Sequence, residues 1–405
     1  MTAATTVHAV NGMTARWARD AVEERGTALT AAGVWPLLAL LAGPAAGEAR
    51  AELAAALGTD ARCAPRAGRE LLALLDAADG VDAAVGLWTR RTLALRPEWT
   101  AGLPLDVHGE LTGDAAADLA ALHAWVRRHT DGLIERMPVR VDPGTLLVLA
   151  SALLVRTTWP EPFREQPLRA AEGPWAGREL TGLHRRGTDL EQVRVHTTPD
   201  GPLTAVAVAG DNGIDVQLLL GGRAVPGGDV LRHGVAALGG AYRTVSGAGL
   251  TGGAGPGVRV TSVPSRDSAP RAELTTARFT IDAEHDLLAR AGLFGLASAA
   301  DAARGHFPGI SPTPLAVNSA RQTATATFGP RGFRAAAVTA IGTRAGAVPR
   351  TPPHRARLIS ARFERPFGFL AVHRASGLVL VAGWVTDPDG WRADGGKVRR
   401  GAVVR

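Results

Sequence analysis

The sequence is poor in several things, and each scarcity closes off a class of protein. Its 405 residues include one cysteine, Cys63, so no internal disulfide can form. No stretch reaches the roughly 18 uninterrupted apolar residues of a membrane span. Met1 to Val10 shows no basic segment followed by an apolar core, so no signal peptide is expected. Together these absences predict a cytoplasmic protein, with an extracellular location reached by a non-classical route as the alternative. Lysine occurs once, at Lys397, and aromatic residues make up 5% of the chain. The net charge of +7 rests on scattered arginines, a bias expected of a high-GC bacterial genome rather than of a phosphate-binding face. Nucleic-acid proteins gather basic residues on one face, so no nucleic acid and no membrane is expected as partner.

Signatures of chemistry are equally sparse. There is no His-Glu-x-x-His, no Cys-x-x-Cys and no Gly-x-Ser-x-Gly, and the histidines lie far apart. No metal, no cofactor and no catalytic residue is therefore assigned, and the chain is not expected to be an enzyme. Gly247-Ala248-Gly249-Leu250-Thr251-Gly252 spells a dinucleotide fingerprint, but it neither follows a clear strand nor opens a helix, and it reads as a flexible loop. Arg90-Arg91 reads as a solvated face.

What the chain does have is apolar residues, 46% of it, enough for one large core or two ordinary ones. Helical spacing runs over Thr14 to Glu24 and Gly33 to Ala42, with Pro36 near the start of the second run. It also runs over Glu48 to Leu57, with Gly58 as C-cap, and over Asp114 to Thr130, with Asp114 as N-cap. Val81 to Leu93 is strand-like. Thr145 to Val155 is almost wholly apolar, as in a central strand covered on both faces. Leu203 to Val208 and Ile214 to Leu220 read as a hairpin turning at Asp211-Asn212-Gly213. Gly221 to Ser268, rich in Gly, Pro and Ser, reads as a long, weakly ordered connection. Arg278 to Ile281 reads as a short strand, Leu287 to Ala291 as a helix, and Ala320 to Phe328 as a strand of small residues. Helices first and strands later predict an α+β fold.

Six motifs occur in order. They are Ala45-Ala46-Gly47 leading to Leu53; Leu95-Arg96-Pro97-Glu98-Trp99; Trp125-Val126 through Thr130-Asp131-Gly132 to Ile134; Leu146 to Trp159 with Phe163; His306-Phe307-Pro308-Gly309-Ile310-Ser311; and Phe363-Glu364-Arg365-Pro366-Phe367. In this order and spacing the chain resembles the serpin family. The resemblance implies a single domain over residues 1–405, with three β-sheets, a shell of about eight or nine helices and an exposed reactive-centre loop at about 330–360. It also implies a monomeric inhibitor of a serine protease of trypsin-like specificity. In that family the protease cuts the loop and forms an acyl-enzyme, and the freed loop enters the main sheet as a strand. The alternative is a non-inhibitory serpin-fold binding or chaperone-like protein. Trp125, Trp159 and Phe367 read as core aromatics in either case.

The resemblance assigns a loop hinge at Gly332, Phe333, Arg334, Ala335, Ala336, Ala337, Val338 and Thr339. Period-two alternation sorts this segment: Phe333, Ala335, Ala337, Thr339, Ile341 and Thr343 form an uncharged face, and both arginines fall on the other. Inhibitory members carry Thr or Ser where Phe333 stands and Glu where Arg334 stands, so Phe333 is expected to be a bulky first entrant that slows insertion. The family's polar shutter falls on Thr30, Gly33, Ser151 and Gln322. Counting from the two ends of the loop puts the cut at Gly346-Ala347 or at Arg355-Ala356. Local pattern favours Arg350-Thr351 as the reactive bond.

Overall fold

The computed structural model describes residues 2–22, 25–301, 304–334 and 354–391. The chain opens with α1 (Ala3–Ala21), β1 (Thr27–Leu29), α2 (Ala31–Ala42), α3 (Gly47–Leu57) and α4 (Ala64–Asp76). The first helix starts well upstream of the expected Thr14, because Thr2 caps it and the apolar stripe Val7, Val10, Met13 and Trp17 begins there. All twelve residues of α2 are buried, which makes it the central helix of the core. It begins at Ala31, where the Thr30 hydroxyl accepts from the Gly33 N–H, so Pro36 lies inside the helix and not near its start. Gly58 ends α3 at φ 65°, the left-handed conformation that glycine adopts without strain. α4 carried no sequence signal that we read.

Next come β2 (Val81–Arg90), α5 (Pro97–Ala101), β3 (His108–Leu111), α6 (Ala115–His129), β4 (Leu147–Val155) and β5 (Thr157–Thr158). Every residue of β4 is buried. Leu147, Leu149, Leu153 and Val155 join the main core, whereas Val148, Ala150 and Ala152 join a second cluster with Leu122, Trp125 and Val126 of α6. The double covering explains why the strand reads as a continuous apolar run.

β6 (Arg164–Arg169), β7 (Glu179–Gly187), β8 (Val193–Thr198), β9 (Gly201–Val208) and β10 (Ile214–Leu220) lead to α7 (Gly227–Leu238), β11 (Thr244–Ser246) and β12 (Val258–Ser265). Residues 221–268 are therefore structured, against expectation. Val230, Leu231 and Val235 lie on one buried helical face. A Cβ on Gly228 would lie 2.8 Å from the Cα of Arg19, so glycine lets α7 cross α1 closely. Gly247–Gly249 is a 3₁₀ turn packed on the Leu190 carbonyl, not a free loop. Arg90 departs from its expected solvated face too: its guanidinium donates to the carbonyls of Thr145, Asp142 and Pro143.

The chain closes with β13 (Arg271–Ala277), β14 (Phe279–Asp286), α8 (Ala291–Phe294), β15 (Ser319–Phe328), β16 (Gly332–Arg334), β17 (His354–Arg362), β18 (Phe367–His373) and β19 (Leu378–Val385). The strands form three sheets. The main sheet runs β3-β2-β4-β15-β16-β5, with β14 also paired to β15. The second runs β1-β19-β18-β10-β9-β8-β11, and the third β12-β17-β13-β7-β6. Phe363 and Phe367 are fully buried, so the Phe-x-x-Pro-Phe motif is a packing anchor.

Asp114 caps α6, accepting from the N–H groups of Ala116 and Ala117, both at 2.9 Å. Asp114→Ala is expected to cost about 1 kcal/mol in chemical denaturation. An unchanged midpoint would mean that α6 is held by its packing alone.

Candidate functional site at the gap between two parallel strands

β4 and β15 run parallel and are directly bonded over six residue pairs, from Val148 with Ser319 to Leu153 with Ala324. Beyond that they part, and β16 fills the fork. Phe333 pairs with Phe328 of β15 on one side and with Thr157 of β5 on the other. The segment expected to be a hinge thus begins as a strand already in the sheet. Gly332 is required at this place, because a Cβ would lie 2.3 Å from the Thr157 carbonyl oxygen.

The turn that sends the chain back into the fork is held from outside. Gly329 N–H donates to the Gly332 carbonyl at 2.9 Å, and the N–H groups of Trp159 and Phe163 donate to Arg331 and Pro330 at 2.9 and 2.7 Å. The Trp159 indole N–H donates to the Gly329 carbonyl at 3.0 Å. Phe328 packs on both rings, with centroids 5.1 Å from Trp159 and 5.6 Å from Phe163. Trp159 is thus a core aromatic, as expected, and also the peg on which the turn hangs.

Phe333 departs from its expected role as an entrant waiting outside the sheet. It is 1% exposed, and its ring lies 5.8 Å from that of Phe369 on β18. A ring already seated levies no entry cost on insertion.

Below the fork, Thr30, Gly33, Ser151 and Gln322, the positions that the resemblance assigns to a shutter, lie together. The Gln322 side chain and the Thr30 backbone form a reciprocal pair: its amide donates to the Thr30 carbonyl at 2.6 Å and its oxygen accepts from the Thr30 N–H at 3.3 Å. Gln322 is the register partner of Ser151. A Cβ on Gly33 would lie 2.6 Å from Ser151 Oγ, so glycine is what lets α2 rest on the ladder. Ser151 Oγ has no hydrogen-bond partner among the described residues, and neither do the hydroxyls of Ser319 and Thr323 on β15 and of Thr157 on β5.

Two further residues belong to this site, and the sequence reading did not single them out. His285 on β14 is the register partner of Gln322. Its Nε2 lies 2.8 Å from the Ala28 carbonyl oxygen, and its ring sits edge-on to Trp17 at 5.0 Å. Arg156 stands where β4 gives way to β5. Its N–H donates to the Gly80 carbonyl, and its own carbonyl accepts from Asn212 Nδ2. Its guanidinium holds Asp131 behind α6 at 2.7 Å and also Asp82 on β2. The bond to Asp131 foremost, with the charge of Asp82 adding to it, raises the Arg156 pKa. A lone arginine or histidine carries no periodic signal, so only its placement reveals it.

The expected loop bounds of 330–360 narrow, because His354–Arg362 forms β17, paired with β12 and β13. Arg355-Ala356 is excluded as the cut bond on that ground: Ala356 is fully buried opposite Val263, and the Arg355 guanidinium donates to Ser262. Gly346-Ala347, Arg350 and Thr351 lie outside the described residues, as do Ala335, Ala336, Ala337, Val338 and Thr339. Arg334 is described as part of β16. Among the described residues no helix is long and apolar enough to cross a membrane.

Comparison with known proteins bears on this architecture. The family model described as serpin, serine protease inhibitor, matches residues 13–172. A search of curated proteins by sequence gave no match. Solved structures do match: native protease nexin-1 with heparin superposes at a TM-score of 0.70 and 16% identity, covering 96% of this chain and 100% of that one. This chain has the serpin fold. A serpin from the trematode Schistosoma haematobium gives 0.67 at 14% identity, with 96% and 100% covered. Human thyroxine-binding globulin complexed with thyroxine gives 0.69 at 14% identity, with 95% and 98% covered. The serpin fold brings the three expected sheets and, among the described residues, eight α-helices.

Two outcomes are expected. Phe333→Thr removes a seated ring and should cost about 3 kcal/mol or more of stability in the intact chain; a neutral result would mean that the fork closes without it. The second concerns pH. Burial pushes the His285 pKa below its ordinary value, an effect opposed by the bond to Ala28 and aided by the charge of Arg290. Burial likewise lowers His108, His123, His184 and His196. The unfolded chain therefore binds more protons than the folded one in mild acid. Stability is complete above about pH 6.5 and falls as pH drops below it. Melting from pH 8 to 5.5 should show the fall, with a shallower slope in His285→Gln. A melting point that stays level or rises on acidification would contradict it.

Proposed function

We propose that this protein inhibits a serine-type endopeptidase as a suicide substrate, by loop cleavage followed by strand insertion. One observation carries the reading: β16 is the first stretch of a strand bonded to both sides of the fork. Continued in the same register, each loop residue after Arg334 moves one place down β15 and one place down β4. Thr339 then falls between Gln322 and Ser151, whose side chains share its face. Its hydroxyl would meet the Ser151 hydroxyl that now lacks a partner. The same face would carry Ala335, Ala337 and Ile341, with no charge to bury.

The driving force follows from two features. Insertion parts the six pairs between β4 and β15 but replaces one ladder by two. It also offers polar backbone to a region in which four buried hydroxyls are unpaired, and each unsatisfied buried group costs about 1–3 kcal/mol. The uncut chain is thus a state held by a barrier rather than by equilibrium. Within this proposal Arg350 is the specificity residue and Arg350-Thr351 the reactive bond. An arginine suits a trypsin-like pocket floored by a carboxylate.

A second reading, a serpin-fold binding protein that is cut without trapping its attacker, has one observation in its favour. Thyroxine-binding globulin matches this fold about as well as protease nexin-1 does.

Incubation with trypsin should give an SDS-resistant complex on a gel, and chain cut within residues 346–353 should melt at a higher temperature than intact chain. In Thr339→Val, the cut chain should gain less. Clean cleavage with no complex but a raised melting point would favour the binding protein; an unchanged or lower melting point after cleavage would rule out insertion.

A further inference from the structure

A cleft of about 790 Å³, lined by no residue of the fork, opens where the end of β10, the start of β12 and the end of β17 meet. Four arginines line it, Arg223, Arg259, Arg362 and Arg365, against two carboxylates, Glu172 and Glu364, so four positive charges less two negative leave two uncompensated. The first wall follows from the pleat. Arg259 and Ser360 are cross-strand partners, and Arg362 comes two residues after Ser360, so the three side chains share one face. Gly257, at φ 68°, holds the strands tightly there: the Arg362 N–H donates to its carbonyl at 2.9 Å, and a Cβ would lie 2.4 Å from the Arg362 oxygen.

The state of each arginine distinguishes this cleft from an ordinary surface. Arg365 is half-buried and donates to the Gly221 carbonyl, yet it has no carboxylate partner among the described residues. Burial first, and then the like charge of Arg223, push its pKa down. Arg259 is exposed and forms neither ion pair nor hydrogen bond among the described residues. Arg223 does pair with Glu172 at 3.0 Å, and Arg362 with Glu364, but the first pair is largely exposed and the second partly so. Exposed pairs contribute little, so an incoming anion can replace them. The guanidinium fork matches phosphate oxygens two at a time, which no lysine does.

We propose that this cleft binds a compact polyphosphate anion, gripped by Arg259 and Arg362 on the strand wall and by Arg365 opposite, with the Ser360 hydroxyl as an added donor. The proposal is independent of the inhibitor reading, since no residue of the fork takes part. Isothermal titration of the full chain with inorganic tripolyphosphate at 0.15 M salt should show one site. Arg259→Gln and Arg362→Gln should each weaken it about tenfold, the worth of one charge-assisted hydrogen bond. Arg128→Gln, an exposed arginine at the end of α6, should leave it unchanged. Arg259 is exposed and unpartnered, so its replacement leaves folding intact, which matching melting curves would verify. The proposal is overturned if the wild-type chain takes up no tripolyphosphate, if the two cleft variants bind it as wild type does, or if Arg128→Gln weakens it equally, which would reveal general charge attraction.

Discussion

The parallel ladder between β4 and β15 is the constraint around which the main sheet is arranged. Parallel strands need a long crossover, and here it runs through the second and third sheets before returning as β15. The two strands are bonded from Val148 to Leu153 and from Ser319 to Ala324, and beyond these pairs they part. That divergence creates the fork, and the fork gives the Gly332–Arg334 segment two partners at once. A sheet bonded along its whole length would offer the same segment no place.

What keeps the ladder closed is polar, and what keeps the fork filled is apolar. The Gln322 amide exchanges two hydrogen bonds with the Thr30 backbone, so β15 cannot shift against the start of α2 there without stripping a buried amide of both partners. The fork holds Phe333 against Phe369, and Phe328, Trp159 and Phe163 pack beside it in tilted and edge-to-face contacts. Aromatic packing tolerates small shifts better than a buried amide pair does, because it lacks directional bonds.

Arg156 ties these parts to the rest of the molecule. Through its backbone and its guanidinium it touches the start of β2, the turn between β9 and β10, and the loop that follows α6. Any movement of β5 relative to β4 must disturb at least one of these contacts.

The sequence by itself determined the elements whose burial is one-dimensional. β4 announced itself as an unbroken apolar run, α6 by its cap at Asp114, and the β9–β10 hairpin by Asp211-Asn212-Gly213. The order of motifs carried the serpin fold, and the resemblance grouped Thr30, Gly33, Ser151 and Gln322, which the fold sets side by side. Only the tertiary structure decided that Phe333 is seated, that residues 221–268 hold a helix and two strands, and that Arg355-Ala356 lies in a paired strand. Each of these depends on a distant partner: Phe369 for the ring, α1 for the helix, β12 for the Arg355 strand. His285 and Arg156 are the sharpest cases, because a single polar residue has no period for a sequence to display. Its meaning lies in what the fold sets against it.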